Sequence, residues 1–249
     1  MKAIIRNCSH GSDIVVSMIL DKQLKCDHIE KTTATAMGLQ ILENEYRGYA
    51  WYNQFLNKNI TVSLEENECR HCLRLGFVDG HCANYRTGLL KNTEVIKNVV
   101  MHYCDVWHRC DRSDGYVCAH GDLSLSNVLV TRSNPIIIDW EHYSINILPV
   151  GFDALYLLFV SLYFEIGKAG YPDKRMLDFI SEQIAFIKKK GCLNTVYESD
   201  PLAAIMQNIR KNRVRWNLSE GDIIWKLPIL QWQPEIVNYI DKELKNRNC

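Results

Sequence analysis

His120-Gly121-Asp122-Leu123-Ser124-Leu125-Ser126-Asn127, with Asp139-Trp140-Glu141 following, is the stretch on which the reading of this chain turns. An aspartate and an asparagine share one loop, and a second aspartate closes the apolar run Pro135-Ile136-Ile137-Ile138. Val117-Cys118-Ala119 leads into the loop, and Val128-Leu129-Val130 leaves it as a second short apolar run. Two short strands are therefore expected to hold Asp122, Asn127 and Asp139 around one point. Those are the parts that phosphoryl transfer needs. A carboxylate must lie within hydrogen-bond reach of an attacking hydroxyl, and hard oxygen donors must hold magnesium against nucleotide phosphates. Asp122 fits the first role; Asn127 and Asp139 fit the second. His120 is read as a brace for the loop backbone. Any one of these residues alone would be read as a polar turn capping its own backbone. The spaced set with its strand flanks carries the reading.

Outward from the loop, the two halves of the chain differ in period. Residues 2–6 and 14–20 alternate around the turn at 8–13, a hairpin signature, and a third strand is expected through His28-Ile29-Glu30-Lys31-Thr32. Residues 39–56 change to helical period, with Leu42, Tyr46, Tyr49 and Leu56 on one face and Glu43 paired to Arg47 outside. Strands are expected at 60–64 and 72–78, then helices over 89–107, 153–166, 173–190, 201–216 and 234–245. Strand-rich first and helix-rich after implies an α+β chain of two lobes, 1–80 and 81–249.

Bulk properties narrow the function. The chain has 249 residues, 29 basic and 29 acidic side chains, and a hydrophobic fraction of 47%, enough for a substantial core. The balanced charge disfavours a nucleic-acid partner. No apolar run reaches the ~20 residues of a membrane span, and the start lacks the pattern of a signal peptide, so a cytoplasmic protein with buried thiols is expected.

His120-Gly121-Asp122 with Asn127, then Ile137-Ile138-Asp139-Trp140-Glu141, resembles the aminoglycoside phosphotransferase and choline kinase-like superfamily. These are small-molecule kinases related to protein kinases. The sharp match covers about residues 117–160, including Gly151-Phe152-Asp153, where the family often carries a structural aspartate. Gly121 and Trp140-Glu141 depart from the protein-kinase pattern, which has Arg before the catalytic Asp and Asp-Phe-Gly at the metal position. The resemblance implies a bilobal protein-kinase-like fold, with a nucleotide-binding lobe over 1–80 and a catalytic and acceptor-binding lobe over 81–249.

It implies ATP and Mg2+ as cofactors. Lys31 then contacts the nucleotide phosphates and Glu45 holds it by an ion pair. Glu45 falls at the body-facing edge of its helical face, which supports that assignment independently. Ser9, Gly11 and Ser12 would cover the phosphates with backbone N–H groups, a plain hairpin turn being the alternative. Leu75-Gly76-Phe77-Val78-Asp79-Gly80 would form the hinge. Glu141 would assist the metal or orient its waters, or stand as a surface acid.

Two other signals compete. Cys69-Arg70-His71-Cys72 has the spacing of half a zinc site, with His81, Cys82, His102, Cys104, His108 and Cys110 as further ligand types, but no second Cys-x2-Cys completes it. Arg210, Lys211, Arg213, Arg215 and Trp216, with Trp225 and Trp232, suit an anionic or sugar-like acceptor, or form a solvated face over core aromatics. From residue 143 onward basic side chains slightly outnumber acidic ones, which lowers a polycationic acceptor in rank. The expected activity is ATP- and Mg-dependent transfer of the γ-phosphate to a hydroxyl of a small molecule or glycan. A sugar or surface-polysaccharide precursor is favoured, then an aminoglycoside or choline-like alcohol. The alternatives are a Ser/Thr protein kinase and a nucleotide-binding scaffold without catalysis.

Overall fold

The computed structural model describes residues 2–7, 14–67, 70–83, 85–110, 112, 114–132, 134–212 and 227–247. They form an α+β structure that divides into two compact units. One is Met1–Asp79 with Asp139–Tyr143, and the other is Gly80–Ile138 with Ser144–Cys249.

The first unit is built on five antiparallel strands, β1 (Lys2–Asn7), β2 (Val15–Leu20), β3 (Cys26–Thr33), β4 (Val62–Asn67) and β5 (Arg70–Gly76), in the order β1-β2-β3-β5-β4. The expected hairpin is present, with Lys2 opposite Ile19 and Asn7 opposite Val15. Helix α1 (Ala36–Tyr52) packs on β3, β4 and β5. It starts where Thr35, still extended, turns its hydroxyl to accept the Gly38 N–H at 3.1 Å. It stops at Tyr52, short of the expected 56, because Asn53 clamps the next turn. The Asn53 side chain donates to the Ile60 carbonyl and accepts from the Ile60 N–H, both at 2.8 Å.

The buried face of α1 is Gly38, Leu42, Glu45, Gly48, Tyr49 and Tyr52. Tyr46, expected on that face, is instead 37% exposed. At about 100° per residue the six buried positions share one arc, and Tyr46 lies past its edge. Glu43 and Arg47 stand outside, 3.9 Å apart.

Residues 139–143 join this first unit, against the expected division into 1–80 and 81–249. Trp140 is the reason. Its side chain is fully buried, with ring centroids 4.9 Å from Tyr52, 5.7 Å from Trp51 and 6.1 Å from Tyr143.

In the second unit β6 (His81–Cys82), β8 (Val128–Val130) and β9 (Ile136–Ile137) form a three-stranded sheet in the order β6-β8-β9, and β7 (Tyr116–Ala119) pairs with β10 (Ser144–Pro149). The helices are α2 (Gly88–Lys91), α3 (Thr93–Trp107), α4 (Phe152–Ile166), α5 (Lys174–Lys189), α6 (Pro201–Lys211) and α7 (Pro234–Arg247). The segment read as one helix over 89–107 breaks at Asn92, whose amide donates to Gly88 O at 2.6 Å and to Thr87 Oγ1 at 2.9 Å. Every residue of α4 from Phe152 to Leu162 is buried, and α2, α3, α5 and α6 pack around it. A helix apolar on all sides is the centre of its unit. Asp241 of α7 caps α6, its carboxylate accepting from Leu202 N and Ala203 N at 2.9 and 3.0 Å. Among the described residues, no helix is long and apolar enough to cross a membrane.

Candidate phosphoryl-transfer residues

Lys31 sits on β3 between Val16 of β2 and Leu73 of β5, a central position in its sheet. Its ammonium meets Glu45 Oε2 at 2.7 Å and Asp139 Oδ1 at 2.5 Å. The helical period alone places Glu45 against the sheet, where it is fully buried. Asp139 arrives from 108 residues away in sequence. Its backbone is left-handed (φ 66), and its N–H donates to the Tyr49 hydroxyl at 3.2 Å. Aspartate tolerates that conformation better than most residues, at a cost of about 1 kcal/mol. Gly48, one residue before Tyr49, lets Trp140 approach α1 closely. A Cβ at position 48 would lie 2.5 Å from Trp140 Cβ.

The electrostatics follow from burial. Desolvation pulls the Lys31 ammonium down, but Asp139, Glu45 and Glu141 together outweigh it and hold its pKa well above the usual 10.5. Burial pushes the Glu45 carboxyl up to about 7, with Lys31 pulling the other way. Burial, then the Glu45 charge, keeps the Tyr49 phenol protonated. Glu141 acts on Lys31 through its charge and lies 3.4 Å from His142 Nε2.

The loop at 120–127 is organised within the second unit. His120 is completely buried; its Nδ1 accepts the Asp122 N–H at 3.2 Å, so its Nε2–H donates to the Ile138 carbonyl at 2.9 Å. Both ring nitrogens are therefore used as a brace. Gly121 has φ 88, a conformation that favours glycine. Asp153, at the start of α4, accepts the His120 and Gly121 N–H groups at 2.9 Å each. Burial lifts the Asp153 carboxyl to about 7 in spite of these two bonds. Asn127 donates its Nδ2 to the Asp122 carbonyl at 2.8 Å, and its own carbonyl accepts the Ile138 N–H at 2.9 Å. The Asn127 Oδ1 accepts from Ser126 Oγ at 3.5 Å.

The structure thus brings Lys31, Glu45 and Asp139 together, with Glu141 beside them. Separately, it ties Asp122 and Asn127 into one loop. Ser9, Gly11 and Ser12 lie outside the described residues, as do Cys69, Arg213, Arg215, Trp216 and Trp225. Among the described residues no three His, Cys, Asp or Glu side chains gather to hold a metal; Cys104 and Cys110 are buried. Arg210 and Lys211 are exposed, and Trp232 is a core residue donating to the Gly167 carbonyl at 2.9 Å.

One supporting contact has no signal in the sequence: Tyr49, on the apolar face of α1, also accepts the Asp139 N–H through its hydroxyl. Compared with known proteins, the chain matches no family model and its sequence matches no curated protein.

Proposed function

We propose that the protein is a phosphotransferase, its two units corresponding to the lobes of a protein-kinase-like fold. More particularly, we propose an ATP- and Mg2+-dependent kinase that phosphorylates a hydroxyl on a small molecule or glycan. The observation that carries this reading is Lys31, a central-strand lysine held by a fully buried helix glutamate and by Asp139. A lysine so held has its side chain fixed and its charge secured, as a group anchoring nucleotide phosphates requires.

The donor chemistry fits the metal. Asn127 Oδ1 and the Asp139 carboxylate are hard oxygens of the kind magnesium takes, and the Asn127 amide nitrogen is engaged by the Asp122 carbonyl. Bound magnesium would supply charge neutralisation for the phosphates. Asp122 orients the acceptor hydroxyl and takes its proton, while His120 and Asp153 hold the loop backbone that carries it. Lys31 binds phosphate oxygens, and Glu45 keeps Lys31 in place.

The test is an acceptor panel of sugars, glycan precursors, aminoglycosides, amino alcohols and Ser/Thr peptides, with labelled ATP and magnesium. Transfer to a non-peptide hydroxyl is expected. Asp122→Ala should cut turnover at least a thousandfold while leaving the melting temperature and nucleotide binding close to wild type. Retention of full activity by that variant would remove Asp122 from the mechanism, and transfer to peptides alone would make the enzyme a protein kinase.

A further inference from the structure

We infer that Tyr49 of α1 is a positioning residue for Asp139, its hydroxyl holding the backbone that presents this carboxylate to magnesium. The inference rests on reading Asp139 as a metal ligand of the proposed phosphotransferase. Helix α1 turns two side chains of one face, Glu45 and, one turn on, Tyr49, towards the same cluster. Glu45 takes the Lys31 ammonium at 2.7 Å, and the Tyr49 hydroxyl accepts the Asp139 N–H at 3.2 Å. Lys31 in turn meets Asp139 Oδ1 at 2.5 Å. A single turn of helix thus secures Asp139 twice, directly at its main chain and through Lys31 at its carboxylate.

The Asp139 main chain needs such a hold. Its φ of 66 is left-handed, a conformation that residues other than glycine keep only where their surroundings over-determine it. Trp140, the next residue, packs against Tyr52 and Gly48 of α1, so the hydroxyl on one side and the indole on the other bracket Asp139. Tyr49 is itself 2% exposed, and packing locks its rotamer. Phenylalanine would fill the same space. A buried hydroxyl costs free energy unless it is bonded, and the Asp139 N–H supplies that bond. Without the hydroxyl the N–H loses this acceptor and the left-handed backbone loses a restraint. Both changes favour release of Asp139 from its present conformation. Magnesium demands near-ideal octahedral geometry, so a displaced carboxylate shows first as a higher magnesium requirement.

The test measures ADP binding by calorimetry across a magnesium titration, using the full chain as wild type, Tyr49→Phe, Asp139→Asn and the double variant. Tyr49→Phe should need about ten- to a hundredfold more magnesium for half-maximal binding. Its ADP affinity at saturating magnesium should stay within about twofold of wild type, and its melting temperature within a few degrees. In the Asp139→Asn background, where the ligand itself is gone, Tyr49→Phe should make no further difference. An unchanged magnesium midpoint in Tyr49→Phe, with Asp139→Asn raising it, overturns the positioning role and leaves Asp139 as a ligand. An equal shift from Tyr49→Phe in both backgrounds, or a large loss of melting temperature, marks a merely structural tyrosine and also overturns it. A wild-type midpoint in Asp139→Asn removes Asp139 from the metal site, and the inference with it. Absence of magnesium-dependent ADP binding in the wild type removes the proposed function itself.

Discussion

Lys31 shows how one side chain couples stability to the proposed chemistry. Glu45 has no exposure, so removing the lysine leaves a carboxyl in the core without its cation. Breaking a buried pair from one side costs about 3 kcal/mol, whereas replacing both members can be nearly neutral. Lys31→Met should therefore lower the melting temperature markedly, and Lys31→Met/Glu45→Gln should recover most of it. Neither should turn over ATP at more than about a hundredth of the wild-type rate. Thermal unfolding and phosphate release separate the two effects.

Asp153 makes a second residue-level prediction. Its folded pKa of about 7 lies above its ordinary 3.8, because burial outweighs the two backbone N–H donors. The native state therefore holds that proton more tightly than the unfolded chain. The stability this group contributes is complete below about pH 4 and is lost as pH rises through about 7. Asp153→Asn should flatten the dependence of melting temperature on pH across that window, although the variant is less stable because its amide keeps one acceptor oxygen and one of the two N–H groups meets an NH2 instead.

Elements made of strong local signals were legible in the sequence. The hairpin of β1 and β2, the sites of α1 and α4–α7, and the strands flanking the 120–127 loop all follow from period and turn residues. Boundaries were less so, because side chains set them. Thr35 starts α1, Asn53 stops it, and Asn92 splits α2 from α3. Strand β10 was missed for a physical reason. Ile145 and Asn146 both point to solvent, Asn146 has φ 53, and the pairing shifts register between Ser144 and Leu148, so no alternation survives. In the candidate site, residue types and spacing exposed Asp122, Asn127 and Asp139, and the family resemblance supplied Lys31 and Glu45. The supporting contact of Tyr49 depends on three-dimensional packing that no spacing rule encodes.

The contact between α1 and Trp140 yields a prediction at this scale. Gly48→Ala, on propensity alone, should favour a helix by about 1 kcal/mol. Its new methyl would lie 2.5 Å from Trp140 Cβ and 2.9 Å from Trp140 Cγ, so the helix or the indole must shift. Overpacking of this kind costs about 1–3 kcal/mol. A net loss of stability is expected in denaturant titration, and a stabilised variant would show that α1 and residues 139–143 are less tightly packed than described.

For the molecule as a whole, the chain passes between its two units at Asp79–Gly80, at Ile138–Asp139 and at Tyr143–Ser144. The first unit is therefore discontinuous. A fragment of residues 1–79 carries the sheet and α1 but lacks Trp140, the ring that fills the face of Tyr52 and Trp51, and it lacks the second acidic partner of Lys31. That fragment should give no cooperative thermal transition, and a single chain joining 1–79 to 139–143 through a flexible linker should regain one. Calorimetry decides between them.

The same discontinuity sets an order of events at the ribosome. The N-terminal sheet emerges first, yet the five residues that close it are made only after the whole of Gly80–Ile138. At about 5–20 residues per second, the aromatic face of α1 waits roughly 3–12 s for its indole. During that interval Tyr52 and Trp51 are open to other chains, so slowing translation beyond residue 80 should raise the nascent protein's dependence on chaperones.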